Sequence, residues 1–157
     1  MIFPDLPIEE QPEHIQFFFE SVQFPFLYPD LISKWIEDSL EEEKKAINSI
    51  SFIFCNDTYL LQINQEYLNH DTLTDVITFQ YNETIDLPIE GDIFISIDRI
   101  KENANKFATT FDHELKRIMI HGTLHLAGYK DKSTKDKQLM TEKENYYLSK
   151  FDKVPKL

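Results

Sequence analysis

The residues best suited to chemistry lie in one short stretch, His121-Gly122-Thr123-Leu124-His125-Leu126-Ala127-Gly128-Tyr129-Lys130-Asp131. Residues four apart on a helix stand one above the other, so His121 and His125 can aim imidazole nitrogens at a single point. Gly128 follows closely and can adopt a left-handed backbone, end the helix and turn the chain back toward that point. The next side chain on this path that offers an anionic oxygen is Asp131. Two imidazoles and one carboxylate fill three corners of a tetrahedral zinc site, and a fourth corner left open to water is the arrangement of a catalytic site. The same residues also admit a plainer reading: two partly buried helix histidines satisfied by hydrogen bonds, Gly128 as a simple cap and Asp131 as a surface acid.

The elements that must carry this stretch follow from hydrophobic spacing. A helix is expected from about Asp112 to Gly128, with Ile118, Leu124 and Leu126 supplying a dry wall. Before it, strands are predicted at Ile15 to Val22, Ile50 to Cys55, Asp75 to Tyr81 and around Ile93 to Ile97, all rich in β-branched and aromatic residues. Helices are predicted from Pro29 through Leu31, Trp35, Ile36 and Leu40, from an Asp57 cap to Leu68, and through Ile100, Ala104 and Phe107. A last helix, from about Lys135 to Phe151, is expected to bury Leu139, Tyr146 and Tyr147. The residues before Ile15, with three prolines, read as an extended arm. Strands too few for a barrel, mixed with helices, give one α+β or α/β layer structure.

Composition sets outer bounds. The chain has 157 residues, enough for one domain, and its 41% hydrophobic and 13% aromatic content can build a sizeable core. A net charge of −12 argues against a protein that coats nucleic acid without selectivity. The charge is unevenly spread: residues 1–43 hold eleven acids and one base, whereas 101–137 hold eight bases and five acids. A polyanion would therefore enter along 101–137, although a solvated mixed-charge face is the commoner meaning of such a segment. The single cysteine, Cys55, suits a reducing compartment and, within an apolar run, a buried inert thiol. With no secretory signal and no apolar run of membrane-spanning length, the expectation is a soluble cytoplasmic protein with no membrane partner.

The order histidine, histidine, glycine, third ligand also looks like the core of the metzincin peptidases. Those enzymes place a glutamate directly after the first histidine as general base, and here that position is Gly122, which argues against peptide hydrolysis by that route. A closer match is to the bacterial YbeY proteins, or rRNA maturation factors, regarded as single-strand-specific metallo-endoribonucleases. Residues 121–131 closely resemble that family's H-G-x-L-H-L-x-G-Y-D-H signature. Leu73 to Phe79 is similar to its P-T-D-V-L-S-F segment, and Gly91-Asp92-Ile93 to its G-D-I strand start. The likeness spans about residues 50–150, in order.

The resemblance implies an α+β fold, a small mixed β-sheet flanked by helices, with a zincin-like metal helix lining a cleft in one domain over 1–157. It implies one Zn2+ per chain on His121, His125 and Asp131, where Asp131 takes the place of the family's usual histidine. It also implies a substrate of single-stranded or ribosomal RNA, with the small ribosomal subunit or its proteins as partners in small-subunit rRNA maturation and ribosome quality control. The arginine that the family usually carries, and that is linked to its activity, falls on Leu68, which offers no fork for a phosphate. A non-catalytic, zinc-stabilised ribosome-assembly factor is the alternative that Leu68 leaves open. Lys130, Lys132, Arg117 and His70 are candidates for the missing phosphate partner because they neighbour motif residues. Asp75 and Asp92 either orient ligands by accepting hydrogen bonds or cap turns, and Tyr129 either stacks a base or packs against the turn.

Overall fold

The computed structural model describes residues 14–153. The expected N-terminal arm, apart from His14, lies outside the described residues. The elements run β1 (Ile15–Phe19), α1 (Pro29–Glu42), β2 (Ile47–Cys55), α2 (Asp57–Leu68), β3 (Val76–Gln80), β4 (Ile89–Ser96), α3 (Ile97–Lys106), α4 (Phe111–Leu126) and α5 (Thr134–Asp152). They form a four-stranded sheet ordered β1-β2-β4-β3. β1 and β2 pair in parallel, β2 and β4 pair in parallel, and β3 runs antiparallel to β4. This is the mixed α+β sheet expected from the sequence.

Strand alternation decides which helix each residue meets. Ile50, Phe52 and Phe54 of β2 and Ile93 and Ile95 of β4 face the main core, which they share with Trp35 and Ile36 of α1, Ile118 and Leu124 of α4, and Tyr147 and Phe151 of α5. The other face is smaller: Cys55, Leu60 and Ile77 are buried there, with Tyr59, Phe79 and Phe94 packed against them. Burial pushes the Cys55 thiol up to about 12, so it stays protonated and unreactive. Among the described residues no helix is long and apolar enough to cross a membrane.

Several boundaries differ from the sequence reading for local reasons. β1 stops at Phe19 because the chain turns at Ser21, whose φ is 61°. α2 is capped by Asn56, whose side chain accepts from the Tyr59 N–H, and not by Asp57. The Asp57 carboxylate is instead taken by the Arg99 guanidinium and the Ser96 hydroxyl, tying the start of α2 to the start of α3. β4 begins at Ile89, and Ile97 already belongs to α3. In α5 the buried positions are Met140, Glu144, Tyr147, Leu148 and Phe151, whereas Leu139 and Tyr146 are exposed.

Candidate metal centre

α4 is built to cross the sheet and end at a defined place. The Thr110 side chain caps it by accepting from the His113 N–H, and Asp112 and Glu114 lie in its first turn, where the helix dipole favours negative charge. Gly122 faces the sheet so closely that a β-carbon there would lie 2.8 Å from Ile93 Cγ2. His121 and His125 are consequently carried on the flank of the helix and are only partly buried.

The end of α4 is a Schellman turn. The Gly128 N–H donates to the His125 carbonyl and the Tyr129 N–H to the Leu124 carbonyl, both at 3.0 Å, with Gly128 at φ 109° as its position demanded. This turn does two things for the site. It brings the Tyr129 carbonyl to 2.9 Å from His125 Nδ1, and it returns Asp131 to the histidine flank.

Both imidazoles are held by their Nδ1 atoms. His121 Nδ1 lies 2.6 Å from Glu144 Oε2, and His125 Nδ1 lies against the Tyr129 carbonyl. Each acceptor selects the tautomer in which Nδ1 carries the hydrogen, so both Nε2 atoms present lone pairs. Those two atoms are 3.0 Å apart, and Asp131 Oδ2 is 3.4 Å from the first and 3.3 Å from the second. Three acceptors aimed at one another repel unless a cation lies among them. The two spacings to Asp131 match the edges of a tetrahedron, because an ion bonded at ~2.0–2.1 Å sets its ligands roughly 3.3–3.4 Å apart, and the spacing between the two imidazoles is somewhat shorter. The Asp131 side is the open one, at 42% side-chain exposure against 16% and 23% for the histidines.

The remaining sequence candidates separate clearly. Arg117 is not free for a phosphate: its Nε and Nη2 grip the buried Glu114 carboxylate, and its Nη1 donates to Glu144 at 3.3 Å. These two carboxylates hold the guanidinium in its charged form, well above its ordinary range. Asp92 lies on the sheet face away from α4, where it accepts a hydrogen bond from the Tyr81 hydroxyl, so it does not orient a ligand. His70 is exposed beyond the end of α2, and its backbone N–H closes that helix on the Asn64 carbonyl. Lys130 and Lys132 are exposed on either side of Asp131. Tyr129 is half-buried against the core and donates its hydroxyl to Glu43, which decides for packing over base stacking. Glu144 and Glu114 were not among the sequence candidates.

Asp75 stands at the start of β3, with the Asn103 amide donating to its carboxylate. Burial pushes its carboxyl above the ordinary range, an effect that the nearby His121 partly offsets. A raised native pKa means that ionising Asp75 opposes folding. The cost is absent below its ordinary pKa and grows as pH rises through the native one. Asp75→Asn is therefore expected to raise the urea midpoint of the metal-free protein near neutral pH and to lose that advantage in acid. A midpoint advantage that grew toward acid would contradict the sign.

A mixed sheet crossed by a helix bearing two converging imidazoles, with a carboxylate returned by a glycine turn, defines an α+β domain whose His121, His125 and Asp131 could hold a metal ion. The family described as Endoribonuclease YbeY matches residues 15–152, and the chain belongs to that family. Its relatives include the Endoribonuclease YbeY of Flavobacterium psychrophilum, 54% identical over 117 residues, which are 74% of this chain and 82% of that protein. The Endoribonuclease YbeY of Cytophaga hutchinsonii is 47% identical over 137 residues, 87% of this chain and 95% of that protein. Among solved structures, the solution structure of TM1509 from Thermotoga maritima superposes with a TM-score of 0.62 at 27% identity, covering 87% of this chain and 88% of that one.

Proposed function

We propose that this chain is a zinc-dependent endoribonuclease that cuts single-stranded RNA, holding one ion on His121, His125 and Asp131. The observation that carries the proposal is the convergence of three acceptor atoms, within 3.0 to 3.4 Å, whose ring partners already leave both Nε2 lone pairs facing inward. Relatives covering most of the chain are named endoribonucleases, which supports RNA as the substrate. A divalent ion bound there supplies Lewis acidity, polarising a phosphate oxygen and acidifying water.

The chain's own residues handle the approach. Lys130 and Lys132 are exposed on either side of Asp131 in the turn, and Lys135 and Lys137 are exposed at the start of α5. They are a basic segment in an otherwise acidic protein, and if RNA meets them cleavage should weaken with added salt as counterion release is lost. Leu68 is 41% exposed and carries no charged or hydrogen-bonding group that could stand in for the family's usual arginine. With Arg117 committed to Glu114 and Glu144, the exposed lysines of this segment are the phosphate partner we assign. The biological setting we propose is the maturation of small-subunit ribosomal RNA and ribosome quality control in a bacterial cytoplasm, in contact with the small subunit or its proteins.

The direct test is metal analysis of the purified protein beside Asp131→Ala, with cleavage of a single-stranded RNA measured on both. About one equivalent of zinc is expected in the parent, as three protein ligands require. Marked loss of both zinc and cleavage is expected in the variant. Unchanged zinc in Asp131→Ala removes that carboxylate from the site. Zinc without any RNA cleavage in the parent leaves the assembly-factor reading in its place.

A further inference from the structure

Four charged or ionisable side chains run in a line from the start of α4 to the metal centre. Glu114 and Glu144 are among the few buried polar residues, at 1% and 4% exposure. Burying a carboxylate is costly, and a buried ion pair is often no better for stability than apolar residues of the same volume. Stability alone therefore gives little reason for two such acids where α4 meets α5.

The geometry gives another reason. Arg117 grips Glu114 through Nε and Nη2, at 2.9 and 2.5 Å, which fixes the plane of its guanidinium. The remaining Nη1 reaches Glu144 Oε1, and the other oxygen of Glu144 lies 2.6 Å from His121 Nδ1. The two acids and one guanidinium leave one net negative charge, delivered to the far side of the His121 ring.

We propose that Glu144 is the positioning residue for His121, and that Glu114 and Arg117 are buried to hold Glu144 in place. Without an acceptor at Nδ1, the ring can place its hydrogen on Nε2 or rotate, and either change removes the lone pair that a cation needs. His125 is held by a neutral carbonyl supplied by its own helix end. His121 is held by a carboxylate from another helix, so the competence of the site depends on the docking of α5. This role rests on a cation being held by His121, His125 and Asp131, as proposed above.

The test uses the full-length protein with Glu144→Gln and Glu144→Asp. The first keeps the shape and loses the charge. The second keeps the charge and shortens the reach. Zinc affinity, read by competition with a chromogenic chelator, is expected to fall about 10–100-fold in both variants. Affinity within twofold of the parent in both overturns the proposal. If the parent itself takes up no zinc, the metal reading fails. The ring then still answers by a separate route.

In the metal-free parent, above the imidazole titration range, nitrogen-15 spectra are expected to show His121 with its hydrogen on Nδ1, shifting toward the Nε2 form in Glu144→Gln. A His121 whose hydrogen sits on Nε2 in the parent overturns the proposal without any variant having to fold. A purely structural role for Glu144 would lower the melting temperature of the metal-free protein and leave the tautomer unmoved.

Discussion

Alanine at His125 is expected to abolish zinc retention and RNA cleavage while leaving the metal-free fold almost unchanged. The two effects separate because a partly buried imidazole on the helix flank matters less to the fold than a ligand matters to the ion. Its side chain is 23% exposed, and its intramolecular bond at Nδ1 goes to the Tyr129 carbonyl. Losing that bond costs ~1 kcal/mol. Alanine is the best helix former, and the substitution also removes one of three acceptors that repel each other when no cation is present.

The metal side is far larger. If ~10–16 kcal/mol of zinc binding is shared among a few ligands, removing one forfeits roughly 3–5 kcal/mol, or about 10²–10⁴-fold in affinity. The check is a pair of melting curves with and without zinc. At a free zinc level about a hundredfold above the dissociation constant, the parent should gain ~2.7 kcal/mol, or roughly 5–10 °C. His125→Ala should gain ~0.4 kcal/mol or less. An equal rise in both proteins would mean that zinc stabilises the chain elsewhere and that His125 is not a ligand.

What could be read from sequence follows from how local each rule is. His121, His125, Gly128 and Asp131 lie within eleven residues on one helix and its cap, where the helical period and the left-handed preference of glycine govern the geometry. No distant contact is needed to draw them together. Glu144 is different, because it reaches His121 only after α5 has docked on α4. Its signal was nevertheless present. Met140, Glu144, Tyr147 and Phe151 share one stripe of α5, and a glutamate inside an apolar stripe marks a buried charge with a partner. Placing the stripe on Leu139, Tyr146 and Tyr147 is right for Tyr147, but it leans the helix toward its exposed side and leaves Glu144 out.

Arg117 misled for a related reason. An arginine near a nuclease motif suggests a phosphate contact, but Glu114 stands one turn before it on the same helix face and closes the fork first. Asp92 is a case of strand parity: with Ile93 and Ile95 facing α4, alternation places Gly91 on that face and Asp92 on the other. Asp57 was misassigned by a single residue, because Asn56 caps α2 and leaves the acid free for Arg99.

Gly122→Glu, which restores the glutamate of a peptidase metal helix, is expected to unfold the protein and not to endow it with peptidase activity. The position directly after His121 does not face the ion. It faces β4, and a β-carbon there would lie 2.8 Å from Ile93 Cγ2, 3.3 Å from Ile93 Cδ1 and 3.5 Å from Thr78 Cγ2. Ile93 is fully buried and cannot yield. Overpacking of this kind costs ~1–3 kcal/mol, and a carboxylate forced into an apolar contact without a partner adds several more. The improved helix propensity returns only ~1 kcal/mol.

The net loss, roughly 4 kcal/mol or more, is comparable with the whole stability of an ordinary domain. Gly122→Ala separates the two contributions, since it keeps the clash and omits the charge, and it should lose no more than about 2 kcal/mol. Urea midpoints by circular dichroism, read on Gly122→Ala and on whatever Gly122→Glu remains soluble, check the order of the two. A folded Gly122→Glu that cleaves casein, and loses that cleavage with His125→Ala, would show that this helix face can reach the ion after all. The packing of α4 on β4 would then not be what keeps a general base out of this position.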